Sequence, residues 1–417
     1  MIPLSEAVDL VLAAVRPLGA EQVPLLEALG RTVAADVVSP ADVPSFDNSA
    51  MDGFAVRGAD LGAAASEGLA IVAEIPAGSV ASAPLRPGEA ARIMTGAPLP
   101  GGADTVVQVE HVEERAGRVY VRRAPAVGRN LRRAGEDVRR GDVVLPRGSH
   151  IGPAELGVLT SIDVAELSVA RRPRVGILAT GSELVPPGRP LGPGQIRNSN
   201  SFTAWGQVLA ADAVPVMLGI AADDPDETRR LIARALEEDV VITSGGVSVG
   251  DYDFVKQVEE ELGVEKRFWG VATKPGKPVA FGVYGERLVF GVPGNPVAAM
   301  VSFELYVRPA LLAMQGRRNI WRPWVTAVAA EPVKPTTDRV EVRRCLLLRD
   351  DDGSWRFTTT GPQGSAILRS MVLADGLVFV PCPHPGGEVG DPYVVMLLEG
   401  SRVERPPFPD LGAATSE

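Results

Sequence analysis

Lys274 and Lys277 stand three residues apart in Lys274-Pro275-Gly276-Lys277-Pro278, and a second Pro-Gly segment, Val292-Pro293-Gly294-Asn295-Pro296, follows shortly after. Prolines keep the first segment out of regular structure, and the second turn opens a long apolar helix. Two cations on a stiff loop beside a helix N-terminus form a receptor for an oxyanion. A pair of tight turns carrying solvated lysines accounts for the first segment equally well.

Carboxylates and glycines recur in three further loops, each after a predicted strand. They are Thr180-Gly181-Ser182-Glu183, Asp223-Asp224, and the stretch from Ser244-Gly245-Gly246 to Asp253. Open α/β sheets bind ligands at the carboxyl ends of their strands. The glycines let backbone N–H groups approach a phosphate, and Glu183, Asp223 and Asp253 could place carboxylates around Mg²⁺. Each acid also has an ordinary structural reading: Asp253 as a helix cap, Asp223 as a turn residue, Glu183 as a surface acid. Neither a Walker A nor a G-x-G-x-x-G pattern is present. Three earlier loops, 44–55, 92–98 and 128–137, add acids and the arginines Arg129, Arg132 and Arg133, which suit phosphate or a polar heterocycle. Turns with capping acids and a solvated basic patch are the plainer alternatives.

The elements that position these loops follow from patterning. The 417 residues predict two to four domains, and 45% hydrophobic with 23% charged residues is a globular composition. Net charge is −10, which argues against nonspecific nucleic-acid binding. Two cysteines and three histidines form no close ligand cluster, so a zinc or iron–sulfur site is not expected. Neither a run of about 18 apolar residues nor a basic-then-apolar leader is seen, so no membrane span is expected and a cytoplasmic location follows by default.

Residues 4–30 read as mainly helical, and 33–144 as β-rich and loop-rich. Residues 174–315 alternate strands (175–179, 214–219, 240–243, 279–283, 288–291) with helices (201–211, 225–238, 253–262, 295–315), which implies a mostly parallel α/β sheet. Asp224-Pro225 with Glu227 is a helix-start signal. After Trp321 the strands continue without helices, as in a small barrel or sandwich. The predicted organisation is a discontinuous mixed domain (1–42 and 138–172), a loop-rich β domain (43–137), an α/β domain (173–318), a C-terminal β barrel (319–404) and a tail (405–417).

The segments FDNSAMDGFAV, RIMTGAPLP, GRNLRRAGEDV, ATGSELV, SGGVSVGDYDFVK, KPGKP and VPGNPVAAM occur in the order found in molybdopterin molybdenumtransferases. The chain therefore resembles the MoeA family, which includes the E domain of gephyrin, from near its N-terminus to about residue 400. The resemblance implies a molybdopterin-binding-like α/β domain in an elongated homodimer. It implies insertion of molybdate into adenylylated molybdopterin with release of AMP, supported by Mg²⁺. The active site would lie between the α/β domain of one subunit and the loop-rich domain of the other. By motif position, Asp52, Asp137, Glu183, Asp223 and Asp253 match the family's functional acids, and Thr95 its TGAP threonine. Lys274, Lys277, Pro293 and Pro296 match its paired Pro-Gly loops, and Arg344 and Ser365 an Arg and a Ser associated with molybdate. A transient contact with the upstream adenylyltransferase is also implied. Gly270 stands where some members carry a further lysine, and Asp338 where a glycine is common. Two rival functions are molybdopterin adenylyltransferase, whose α/β domain resembles residues 174–315 alone, and a gephyrin-like scaffold. Molybdate and tungstate are too alike in size and charge to be told apart by sequence.

Overall fold

The computed structural model describes residues 1–246, 254–350 and 352–398. Its contacts define two compact units, residues 22–169 and residues 1–21 with 170 onward. In the second unit a six-stranded sheet runs in the order Val214–Ala221, Arg174–Thr180, Val240–Ser244, Arg287–Val292, Ala280–Tyr284, Glu265–Trp269. The first four strands are parallel, and Ala280–Tyr284 runs antiparallel to both of its neighbours. Side chains alternate between faces along these strands. Val240, Ile242, Leu288 and Phe290 join one core with helices Asn200–Leu209 and 296–314. Val241 and Val289 join the other with Pro225–Ala235 and Phe254–Glu261.

Most predicted elements are present, with shifted ends. The helix-start signal at Asp224 works as its chemistry requires, since its carboxylate accepts from the Glu227 N–H at 2.7 Å. The predicted 4–30 helix is only Leu4–Ala14, followed by strand Ala20–Pro24 and a 3₁₀ turn at Leu25–Ala28. Pro17 and Gly19 break the helix. Sequence patterning groups residues 1–42 with 138–172; in the structure Ala7 and Val11 are buried in the α/β core. The apolar helix after Pro296 is interrupted by a π-helical turn at Phe303–Val307. Its most apolar window is 83% buried, so the absence of a polar face reflects a core helix.

Beyond it, strands Trp324–Ala329, Trp355–Thr359, Val340–Arg349, Gly376–Val380 and Pro392–Leu397 close into a five-stranded barrel. Cys345, Leu347, Phe357, Val378 and Val395 fill it. A two-residue strand, Thr273–Lys274, pairs in parallel with the barrel strand Val340–Arg349. Lys274 therefore lies in regular structure, contrary to the expectation from its proline neighbours. In the unit spanning 22–169, a sheet ordered Thr105–Gln108, Gly53–Val56, Glu89–Ile93, Leu69–Ile75, Arg118–Val121, Val112–Arg115 carries an apolar cluster on each face.

Phe290 is 1% exposed and its ring centroid lies 5.0 Å from that of Phe281. Truncation to alanine leaves a cavity in a core that cannot collapse across a sheet. Phe290→Ala is expected to cost about 3–5 kcal/mol in urea denaturation.

Candidate functional site

Three parallel strands end side by side at Thr180, Ser244 and Val292, and the loops that leave them meet. The Gly245 N–H donates to the Val292 carbonyl at 3.3 Å. Gly245 has φ +90°, and a Cβ there would lie 2.7 Å from the Thr180 carbonyl oxygen, so only glycine fits. Asn200 donates from Nδ2 to the Gly294 carbonyl at 2.8 Å and to Ser244 Oγ at 3.4 Å, tying the Gly-Gly loop to the Pro-Gly turn. These loops enclose a cavity of about 510 Å³ lined by Thr180, Glu183, Arg197, Asn198, Ser244, Pro278, Pro293 and Pro296 among others. That size suits a small-molecule site. A larger cavity of about 780 Å³ is mostly apolar, with Val8, Trp321, Trp324, Phe379 and Met396 in its wall. None of the matched site residues lines it, so the chemistry points to the smaller one.

Arg197, Asn198 and Asn200 were not singled out from sequence. Asn198 lies just before helix Asn200–Leu209 and accepts from the Ser201 N–H at 3.2 Å. Nothing local signals that Asn200 also clamps a loop 94 residues further along.

The Glu183 and Asp223 loops are bound to each other. The Ser182 N–H donates to the Asp223 carboxylate at 3.3 Å, and the Asp223 N–H donates to Ser182 Oγ at 3.0 Å. Asp253 lies outside the described residues. Among the described residues no three acids, histidines or cysteines gather into a metal site. The Asp223 carboxylate and the Glu183 side chain, on loops joined through Ser182, are oxygen donors of the kind Mg²⁺ takes, and that ion commonly keeps waters and substrate phosphates as its remaining ligands.

At the Pro293–Pro296 turn, the Val297 N–H in the first turn of the buried helix donates to the Ser365 carbonyl at 3.0 Å. Arg344 is 1% exposed, and donates from Nη2 to the Gly364 carbonyl at 3.1 Å and from Nε to Ser370 Oγ at 3.0 Å. No carboxylate partners it among the described residues, and burial lowers its pKa to about 10. Arg344, Ser365 and the turn ending at Pro296 are therefore one group. Lys277 is exposed and makes no ion pair with a described residue, while its neighbour Pro278 lines the cavity. Lys274 is not brought into this group. Its Nζ donates to Glu341 at 2.8 Å. Gly270 has φ +83° and would place a Cβ 3.4 Å from Met1 Cγ, so a lysine there would be strained.

The other unit assembles the early motifs. Leu131 and Arg132 pair with Ser49 and Asn48, the Gly96 N–H donates to the Ser49 carbonyl at 2.8 Å, and Leu99 N–H to the Asp47 carbonyl at 2.9 Å. Arg133 and the Ala134 N–H both bind the Asp47 carboxylate, at 2.5 and 2.8 Å. Asp52 and Thr95 are in direct contact: the Thr95 N–H and hydroxyl each donate to Asp52 Oδ1 at 2.7 Å. These bonds, the backbone one first, hold the Asp52 carboxyl below the usual range. Asp137 is exposed, and its N–H donates to the Val43 carbonyl at 3.0 Å.

A chain that joins a parallel α/β sheet with a glycine-lined ligand end to a closed β barrel and a loop-rich β unit has the architecture of a molybdenum-cofactor biosynthesis protein. Family models agree along nearly its whole length: MoeA N-terminal region (domain I and II) over residues 2–162, probable molybdopterin binding domain over 176–313, and MoeA C-terminal region (domain IV) over 326–398. It is 39% identical to the molybdopterin molybdenumtransferase of Haemophilus influenzae over 363 residues, covering 86% of this chain and 89% of the relative. With the enzyme of the same name from Bacillus subtilis it shares 35% identity over 408 residues, covering 95% and 94%. The crystal structure of a molybdopterin biosynthesis MoeA protein from Pyrococcus horikoshii OT3 matches with a TM-score of 0.81 at 30% identity, covering 95% of this chain and 100% of that one. The chain belongs to the MoeA family of molybdopterin molybdenumtransferases.

The Asp52–Thr95 contact has a titratable consequence. Thr95→Val removes the hydroxyl donor but keeps the N–H, so the Asp52 pKa should rise part of the way to its ordinary value of about 3.9. Because the folded pKa is the lower one, the stability that this contact contributes is present above the unfolded value and lost as pH falls through the folded value. Carboxyl ¹³C shifts followed through an acid titration measure both.

Proposed function

We propose that this chain transfers molybdenum from molybdate to adenylylated molybdopterin and releases AMP. The observation that carries the reading is Arg344, a buried guanidinium with no carboxylate partner among the described residues, beside Ser365 and the Pro293–Pro296 turn. A buried charge left unpaired is costly, and an arriving oxyanion relieves that cost. Arg344 and Lys277 would offset the molybdate charge, with the Ser365 hydroxyl donating to it. This hydroxyl has no partner among the described residues.

The cavity at the strand ends suits the phosphate end of the substrate, since Gly245 and Gly246 leave backbone close to its wall. Glu183, Asp223 and Asp253 would hold Mg²⁺, which supplies charge neutralisation at the phosphate oxygens as AMP departs. Asp52, fixed by Thr95, and Asp137 would orient polar groups of the substrate. Capture of molybdenum falls to the substrate's dithiolene sulfurs. Cys345 is unsuited to it, being sealed in the barrel with its thiol pushed up to about 12 by burial.

The chain acts in the cytoplasm as a homodimer and receives substrate by transient contact with an adenylyltransferase. The exposed apolar residues Phe202, Trp205 and Leu209, one stripe on a helix, support a protein partner of some kind. An adenylyltransferase role for this chain is less well supported, because the barrel and the loop-rich unit then have no task; a scaffold role leaves the ligand loops without one.

The test is AMP release from adenylylated molybdopterin, with molybdate and tungstate compared. Release with either oxyanion is expected; ATP consumption with pyrophosphate release would favour the adenylyltransferase role, and folded protein with neither activity would leave a scaffold. Glu183→Gln or Asp253→Ala is expected to fold normally and to lower the rate by about 10²–10³. Near-normal turnover would remove these acids from the site. Arg344→Met should raise the molybdate KM by at least about tenfold, the factor that corresponds to about 1.4 kcal/mol of lost binding.

A further inference from the structure

Among the described residues, Arg197 is the one cation that lines the cavity at the strand ends; the wall takes in Pro278 but not Lys277. Arg197 belongs to a two-residue strand, Ile196–Arg197, paired in parallel with Leu184–Val185. That partner strand begins at the residue after Glu183, and the Ile196 N–H donates to the Glu183 carbonyl at 2.9 Å. On the other side of Arg197, the Asn198 N–H donates to the Val185 carbonyl at 3.0 Å. This short ladder fixes Arg197 and Glu183 in one wall of the cavity.

One edge of the guanidinium is anchored, with Nη1 donating to the Pro186 carbonyl at 3.0 Å. Nε and Nη2 make no bond to a described residue, and the side chain is exposed. These two donors form the side-on fork that matches a pair of phosphate oxygens. The Pro186 carbonyl thus fixes the direction of the fork without cancelling its charge. Glu183 does not cancel it either. Its carboxylate folds back over its own loop, where a Cβ on Gly181 would lie 2.3 Å from Glu183 Oε2.

We propose that Arg197 binds the adenylyl phosphate, the one that leaves in AMP, through its free Nε–Nη2 edge. This inference rests on the reading of the cavity as the phosphate end of the substrate. A guanidinium keeps its charge across the working pH range, so the contact does not titrate. It favours a nucleotide over the bare nucleoside, and that preference is its signature.

Titration calorimetry of the full chain, with Mg²⁺ present, compares AMP with adenosine. Wild-type protein should bind AMP more tightly. Arg197→Gln should raise the Kd for AMP by about tenfold, the loss expected for a charge-assisted phosphate contact, and leave that for adenosine unchanged. Arg197→Lys keeps the charge without the fork; it should fall between the two and serves if Arg197→Gln does not fold. In the AMP-release assay, the KM for adenylylated molybdopterin should rise with the Kd for AMP while that for molybdate stays the same. An undiminished preference for AMP in folded Arg197→Gln overturns the role of Arg197 alone. Equal loss of AMP and adenosine binding also overturns it, since that marks a residue that only shapes the loop. Wild-type protein that binds AMP no better than adenosine overturns the phosphate reading of the cavity together with this inference.

Discussion

A helix that is apolar on every side has to be enclosed, and helix 296–314 imposes that requirement on everything around it. One sheet face, helix Leu4–Ala14 and helix Asn200–Leu209 all bury residues in the core built on it. Its one buried acid, Glu304, is answered from outside the helix by Gln207 at 3.0 Å and Arg322 at 2.7 Å. With the helix body fixed, its first turn is fixed too. That turn carries Pro296, holds Ser365 through the Val297 N–H, and sits beside the Gly294 carbonyl that Asn200 grips. The polar end of the ligand cavity is therefore placed by hydrocarbon packing some distance below it.

Each group of motif residues is held by backbone bonds together with side-chain ones. The Gly245 N–H reaches Val292, the Gly96 N–H reaches Ser49, and the Ala134 N–H reaches Asp47. The backbone bonds leave the exposed Lys277 ammonium and the Ser365 hydroxyl with spare bonding capacity. A site for a highly charged substrate needs such capacity, since groups already satisfied by one another have little to offer an incoming anion.

Legibility in the sequence followed the range of the interaction. The α/β alternation, the Asp224 cap and the barrel strands were readable because they depend on periodicity or on neighbours a few residues away. Glu265–Trp269 was missed because a strand read as Glu-Lys-Arg-Phe-Trp has little apolar alternation, and it forms by pairing with Ala280–Tyr284. The candidate acids and lysines were picked out from local motifs. Asn200 and Glu341 were not, because their partners lie 94 and 67 residues away and neither has an unusual setting in the chain. The direction of Lys274 was equally hidden, since it is decided by a ladder with a distant strand.

That ladder has a mechanical side. Thr273–Lys274 belongs to the α/β domain by covalent connection, yet its partner strand is a wall of the closed barrel. A closed barrel moves as one body, because shearing any strand breaks bonds on both its sides. If the barrel tilts, the lysine loop must either tilt with it or part from it at this two-residue seam. The seam thus acts as a linkage rod: displacement of a whole barrel is converted into displacement of one lysine.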